Sequence, residues 1–134
     1  MTTVTIDLST GAPPSPDRTR QLAKTFAELV RVMNHATMHH EALGEPSDAD
    51  RVVRELSSAA ARLPQLCAQI GGWLQREQDA GRIEVAGEDP AVSVMAAVMN
   101  LEDAAAAAVR LQGELDAAAS VTSTLAARED GGDE

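Results

Sequence analysis

Residues 51–74 read RVVRELSSAAARLPQLCAQIGGWL, and the fold turns on whether this stretch is one helix or two. Val52, Leu56, Ala59, Leu63, Leu66, Ile70 and Trp73 recur at alternating steps of four and three. That spacing sets side chains along one narrow seam of a helix. Pro64 stands inside the run, where its ring and missing N–H bend or break a helix at a cost of about 3 kcal/mol or more. The apolar phase nevertheless continues unchanged on both sides of it. The pattern therefore predicts one long helix kinked at Pro64, opening at Ser47 with Asp50 as a weak capping box and ending near Gly81.

The same rhythm extends outward. Upstream, Leu22, Phe26, Leu29, Met33, Ala36, His40 and Leu43 form a seam bounded by Pro16 and Asp17 at its start and by Gly44 and Pro46 at its end. Downstream, Asp89 and Pro90 open a third helix along Val94, Val98, Leu101, Ala105 and Ala108, continued by Leu111, Leu115, Ala118, Thr122 and Leu125. Between Ala105 and Leu111 the steps are three and three, a stammer expected to turn the stripe toward a second neighbour. Ala104–Ala108 is either a run of high helix propensity or a smooth patch for close approach of another helix. The expected fold is all-α, with three long helices in an antiparallel bundle over residues 17–127. The first two helices are joined as a hairpin across Gly44–Ser47. Residues 1–16 are expected to be flexible, with Val4, Ile6 and Leu8 alternating as a mobile tail or as a strand that pairs with a second chain. Residues 128–134 read as an acidic disordered tail.

Composition narrows the function classes. The chain has 134 residues, 44% of them hydrophobic, which is one domain with an aliphatic core, since Phe26 and Trp73 are its only aromatic residues. Net charge is −10, and residues 84–134 carry most of it, with Arg110 and Arg128 against eleven Asp and Glu. Without a cluster of Lys and Arg to displace counterions, direct nucleic-acid binding is not expected. The single Cys67 forms no internal disulfide, so a reducing cytoplasm is the expected setting. The opening residues do not form a signal peptide, and no run of about eighteen uncharged apolar residues occurs, so no membrane span is expected.

All three histidines lie in Asn34–Glu41, NHATMHHE. On a helix His35 and His39 are one turn apart, the spacing of a two-histidine metal site, with Glu102 or Asp103 as a third ligand from another helix. The competing role is electrostatic: cations near a helix C-terminus contribute about 0.3–1 kcal/mol each. His40 falls on the seam, where a polar residue fixes register, and its protonation there would make assembly sensitive to pH. No phosphate-binding glycine loop and no nucleophile elbow occur, so no catalytic, cofactor-binding or metal residue is assigned. Gly71 and Gly72 suggest close packing or a local kink, Trp73 an anchor, and Cys67 an inert small residue.

RVMNHATMHHEAL (31–43), RLPQLCAQIGGWLQREQDAGRI (62–83) and the Ala-rich last helix resemble small all-helical proteins of actinobacterial plasmid- or phage-related regions, over about residues 18–126. The resemblance implies a bacterial cytoplasmic setting and no chemistry, since that group has no established activity. The expected function is a non-enzymatic protein–protein interaction or oligomerisation module, forming a homodimer or holding another protein. Its seam comprises Leu22, Phe26, Leu29, Met33, His40, Val52, Leu56, Leu63, Leu66, Ile70, Trp73, Val94, Val98, Leu101, Leu111 and Leu115. Two alternatives stand beside it. One is an acidic antagonist that binds a basic nucleic-acid-binding protein by imitating DNA through Glu102, Asp103, Glu114 and Asp116. The other is a metal or small-ligand binder at His35 and His39.

Overall fold

The computed structural model describes Thr3 and residues 5–129. Helix α1 spans Pro16–Ala36, a one-turn 3-10 helix spans His40–Ala42, α2 spans Pro46–Asp79 and α3 spans Pro90–Thr122. There is no strand among the described residues, so the protein is all-α. Val4 and residues 130–134 of the expected tail lie outside the described residues. The chain forms two compact units that divide between Gly44 and Glu45.

Each long helix begins with a polar cap followed by proline, which presets φ at a first-turn position that has no helical N–H bond to lose. Ser15 Oγ accepts from Arg18 N at 3.1 Å ahead of Pro16. Glu45 N donates to Asp48 Oδ2 at 2.9 Å in a capping box ahead of Pro46. Asp89 Oδ1 accepts from Ala91 N at 3.0 Å ahead of Pro90. The start of α2 is therefore two residues earlier than the Ser47–Asp50 pattern implies. Hydroxyl groups mark two of the ends. Thr37 Oγ1 donates to Met33 O at 2.8 Å at the C-cap of α1, and the helix ends at Ala36, so His40 and Leu43 lie beyond it and not on its seam. Ser120, Ser123 and Thr124 each donate to a carbonyl three or four residues back, and α3 stops before Leu125.

Unit 1 also holds its leading segment by side-chain bonds. Arg18 Nη2 donates to Asp7 O at 3.0 Å and to Ser9 O at 2.9 Å, while Asp7 Oδ1 accepts from Ser9 N at 2.8 Å. Residues 5–9 are irregular but anchored to the start of α1.

In unit 2, α2 continues through Pro64 as one helix, and α2 and α3 pack along their lengths. Asp50 meets Thr122, Ser57 meets Asp116, and Gly71 faces Val98 and Leu101. The α3 partners descend as the α2 residues ascend, so this pair is an antiparallel hairpin. Gly81 and Gly87, at φ of +73° and +75°, take the left-handed conformation in the connection that reverses the chain.

The seam between the two helices is not the one that bulk alone indicates. The buried residues of α2 are Ser57, Ala60 and Gly71, with Val53, Pro64, Cys67, Leu74 and Gln78 half-buried on the same 4-3 spacing. This is the Val52–Trp73 stripe shifted by one residue, a rotation of about 100°. On α3 the buried residues are Val94, Ala108 and Ala119. Half-buried Val98, Leu101, Ala105, Gln112, Leu115 and Thr122 complete an unbroken 4-3 series. The expected stammer is thus corrected: Gln112 and Ala119, not Leu111 and Ala118, carry the seam onward. Small residues win these positions because helix axes come together only as closely as the side chains between them allow.

Two polar contacts fix the register. Ser57 donates to Asp116, and Thr122 Oγ1 donates to Asp50 Oδ1 at 2.6 Å. Asp50 Oδ2 also accepts from Arg54 Nε at 2.9 Å. The Thr122 bond first, and then Arg54, hold the Asp50 carboxyl below its ordinary titration range. A carboxylate depressed in this way stabilises the fold above its unfolded pKa of about 3.9, and that stability is lost as pH falls through its folded pKa. Thermal melts of the wild type between pH 5 and 2 should therefore show a loss of stability that is smaller in Thr122→Val. An NMR titration should place the Asp50 carboxyl closer to the ordinary range in that variant, and an unchanged titration would contradict the clamp.

A Cβ built on Gly71 meets Val98 and Leu101 at 3.8 Å, ordinary contact with no clash. Gly71→Ala is accordingly expected to stabilise the helix by about 0.5–1 kcal/mol, because alanine loses less backbone entropy. Ala60, 2% exposed, has no such room, and Ala60→Leu should destabilise by about 1–3 kcal/mol through overpacking. Chemical denaturation of both variants checks the opposite signs.

Candidate interaction surface

Hydrophobic residues expected in a core are in large part on the surface. On α2, Leu66 is 51% and Trp73 54% exposed, and Leu56 and Ile70 are also exposed, while Val52, Ala59 and Leu63 are half-buried. On α3, Leu111 is exposed, whereas Val94 is buried and Val98, Leu101 and Leu115 are half-buried in the hairpin seam. On α1, no residue is buried: Phe26, Leu29 and Met33 are exposed and Leu22 is half-buried. The structure thus gathers Val94, Val98, Leu101 and Leu115 against α2 and leaves the large α2 residues uncovered. The seam residues missed by the bulk-based pattern, Ser57, Ala60, Cys67, Gly71 and Ala119, carried a signal of their own, a heptad of small side chains.

The uncovered residues form a surface with a definite shape. In an antiparallel pair, the positions one residue before the seam turn toward the same flank on both helices. On α2 that row is Leu56, Leu63, Leu66, Ile70 and Trp73. On α3 it is Ala97, Asn100, Ala104, Ala107, Leu111, Glu114 and Ala118, of which all but half-buried Ala97 are exposed. One flank of the hairpin therefore carries large aliphatic residues and Trp73 along α2 and an alanine-rich row along α3. Glu114 stands within that row, and Asp103 lies further round α3, on the side away from α2.

The other acidic residues do not join them. Glu102 and Asp116 fall on the opposite flank by helical phase, and Asp116 is engaged with Ser57. The four carboxylates are thus split between two surfaces. Elsewhere acidic groups are matched locally. Arg31 donates to Glu28 at 2.8 Å and Arg82 to Glu77 at 2.6 Å, and each guanidinium holds its carboxyl below the ordinary range.

The His35 and His39 rings meet edge to face with centroids 5.7 Å apart. No group of three or more His, Cys, Asp or Glu able to hold a metal ion occurs among the described residues. His40 stands exposed on the 3-10 turn, so the buried seam charge on which pH-sensitive assembly depended has no place at this position.

Helix α3 is long and apolar enough, by length and composition, to cross a membrane once two charges are tolerated, with a mean hydropathy of 1.4 in its most apolar window. Its apolar residues are spread around the helix. Val94, Ala108 and Ala119 meet α2, Ala104, Ala107 and Leu111 stand on the same flank as the exposed α2 row, and Met95, Met99 and Val109 are exposed on the far flank. Unlike α2, it has no wholly polar side. No family model matches the sequence, and no curated protein or solved structure matches it either.

Proposed function

We propose that this chain is a non-enzymatic helical interaction module that pairs with a second copy through the uncovered flank of the α2–α3 hairpin. The observation that carries this is the exposed row Leu56, Leu66, Ile70 and Trp73, on a helix whose neighbouring small-residue seam is already satisfied by α3. A contiguous apolar surface with a tryptophan at its end favours association, because each covered side chain leaves water. In the assembly the helices complete the antiparallel bundle implied by their seams, with α2 bending at Pro64 to follow its partner. A bacterial cytoplasm suits the lone thiol of Cys67 and the resemblance of residues 18–126.

The acidic-antagonist reading is weaker, because imitation of DNA needs one continuous charged surface and the α3 carboxylates divide into two pairs. The metal reading has only His35 and His39 to build on.

Light scattering coupled to size exclusion at tens of micromolar protein should give twice the chain mass. That mass should persist between about 50 mM and 1 M salt, as expected of an apolar contact. Ile70→Glu, which leaves the α2–α3 seam intact, should give the single-chain mass with unchanged helix content by circular dichroism. A wild type that runs as a monomer throughout would overturn the proposal.

A further inference from the structure

Resting on that reading, we infer that the exposed flank of the hairpin packs on the same flank of the second copy about a two-fold axis, α2 against α2 and α3 against α3. The product is an antiparallel four-helix bundle. The charges that border the flank point to this partner. On α2, Glu55 and Arg76 are exposed one helical step beyond the apolar row, on the side away from α3. On α3, Asp103 and Arg110 hold the corresponding positions on the side away from α2. None of these four takes part in an ion pair among the described residues. Arg76 lies near Glu77, whose carboxyl is already bonded to Arg82, and its guanidinium rests over Gly72. From that exposed position it reaches a new partner by side-chain rotation alone.

A two-fold axis between antiparallel helices brings each residue against the one equally far on the other side of the axis. The midpoint of Glu55 and Arg76 falls between Gln65 and Leu66, and that of Asp103 and Arg110 falls between Ala106 and Ala107. The contacts Asp50–Thr122 and Gly71–Leu101 set these two midpoints opposite each other in the hairpin. One axis therefore serves both helices. It joins Glu55 to Arg76 of the second copy and Asp103 to Arg110 of the second copy, and by symmetry each pair forms twice. Arg62, the remaining charge on the α2 edge, then meets Gln69 of the second copy. The other face-to-face arrangement, α2 on α3 of the second copy, sets Arg62 level with Arg110, and like charges oppose it.

The apolar rows fit the same axis to within one residue. On α2, Leu63 and Leu66 flank it and meet each other across it, Ala59 meets Ile70, and Leu56 meets Trp73. On α3, Ala104 and Ala107 flank it and let that pair of helices close, while Asn100 and Glu114 stand toward the ends of the row.

Disulfide trapping in the full chain, with Cys67→Ala to remove the native thiol, tests the arrangement. Ala59 and Ile70 each lie about five residues from the axis, so like positions in the two copies are held roughly 15 Å apart. Mixed under mild oxidation, chains bearing only Ala59→Cys and chains bearing only Ile70→Cys should form a covalent heterodimer about tenfold above either variant alone, because a disulfide closes only over a short Cβ separation. Variants that each join their own kind would overturn the antiparallel α2 pair. A dimeric parent whose cysteines do not join in any mixture would overturn this face as the partner surface while leaving self-pairing intact. A parent protein that is monomeric by light scattering would mark failure of the underlying reading. Surface charges give a second measurement. Glu55→Arg alone and Arg76→Glu alone should each weaken dimerisation about tenfold at low salt, since each sets like charges together at two places. An equimolar mixture of the two should recover the wild-type affinity, because the heterodimer again faces opposite charges. Absence of that recovery would overturn the axis.

Discussion

The structure of unit 2 depends on close approach of two helices along a row of small side chains. Ser57, Ala60 and Gly71 on α2 meet Val94, Ala108 and Ala119 on α3, and these are the most deeply buried positions of the hairpin. Residues of this size let the backbones approach, with Val98 and Leu101 of α3 lying over the bare backbone of Gly71. The polar contacts Ser57–Asp116 and Asp50–Thr122 then lock the sliding register that a smooth interface would leave open.

Filling the seam with small residues displaces the large ones. Leu56, Leu66, Ile70 and Trp73 do not fit between axes held this close, and they are presented on the flank instead. The same logic accounts for the alanines of α3, which serve both as contact surface toward α2 and as a shallow floor beside it. The buried seam and the exposed apolar row are thus two consequences of one choice of side-chain size.

The all-α class, the three long helices and the proline-marked starts of α1 and α3 were legible in the sequence, because caps, prolines and 4-3 periodicity act locally, whereas Pro46 reads as a stop for the first helix and in fact opens the second. The continuity of α2 across Pro64 was legible too, since the apolar phase did not reset there. The phase of the α2–α3 contact was not. Two heptad series one residue apart coexist in residues 51–78, and weighting by bulk selected Val52–Trp73 over Val53–Gln78. The same weighting chose Leu111 over Gln112 and created an apparent stammer. The end of α1 was missed because Ala36, His40 and Leu43 continue the apolar spacing, and periodicity alone does not register where the backbone leaves the helix after Ala36.

Because the helix-pairing seam and the exposed row occupy neighbouring stripes of the same helix, the two evolve under separate constraints. Replacing Leu66 by another aliphatic residue leaves Ala60 and Gly71 untouched, so the exposed row is free to drift among descendants while the hairpin itself stays foldable. A seam of alanine, serine and glycine has little latitude of its own, and lineages should diverge fastest along the flank.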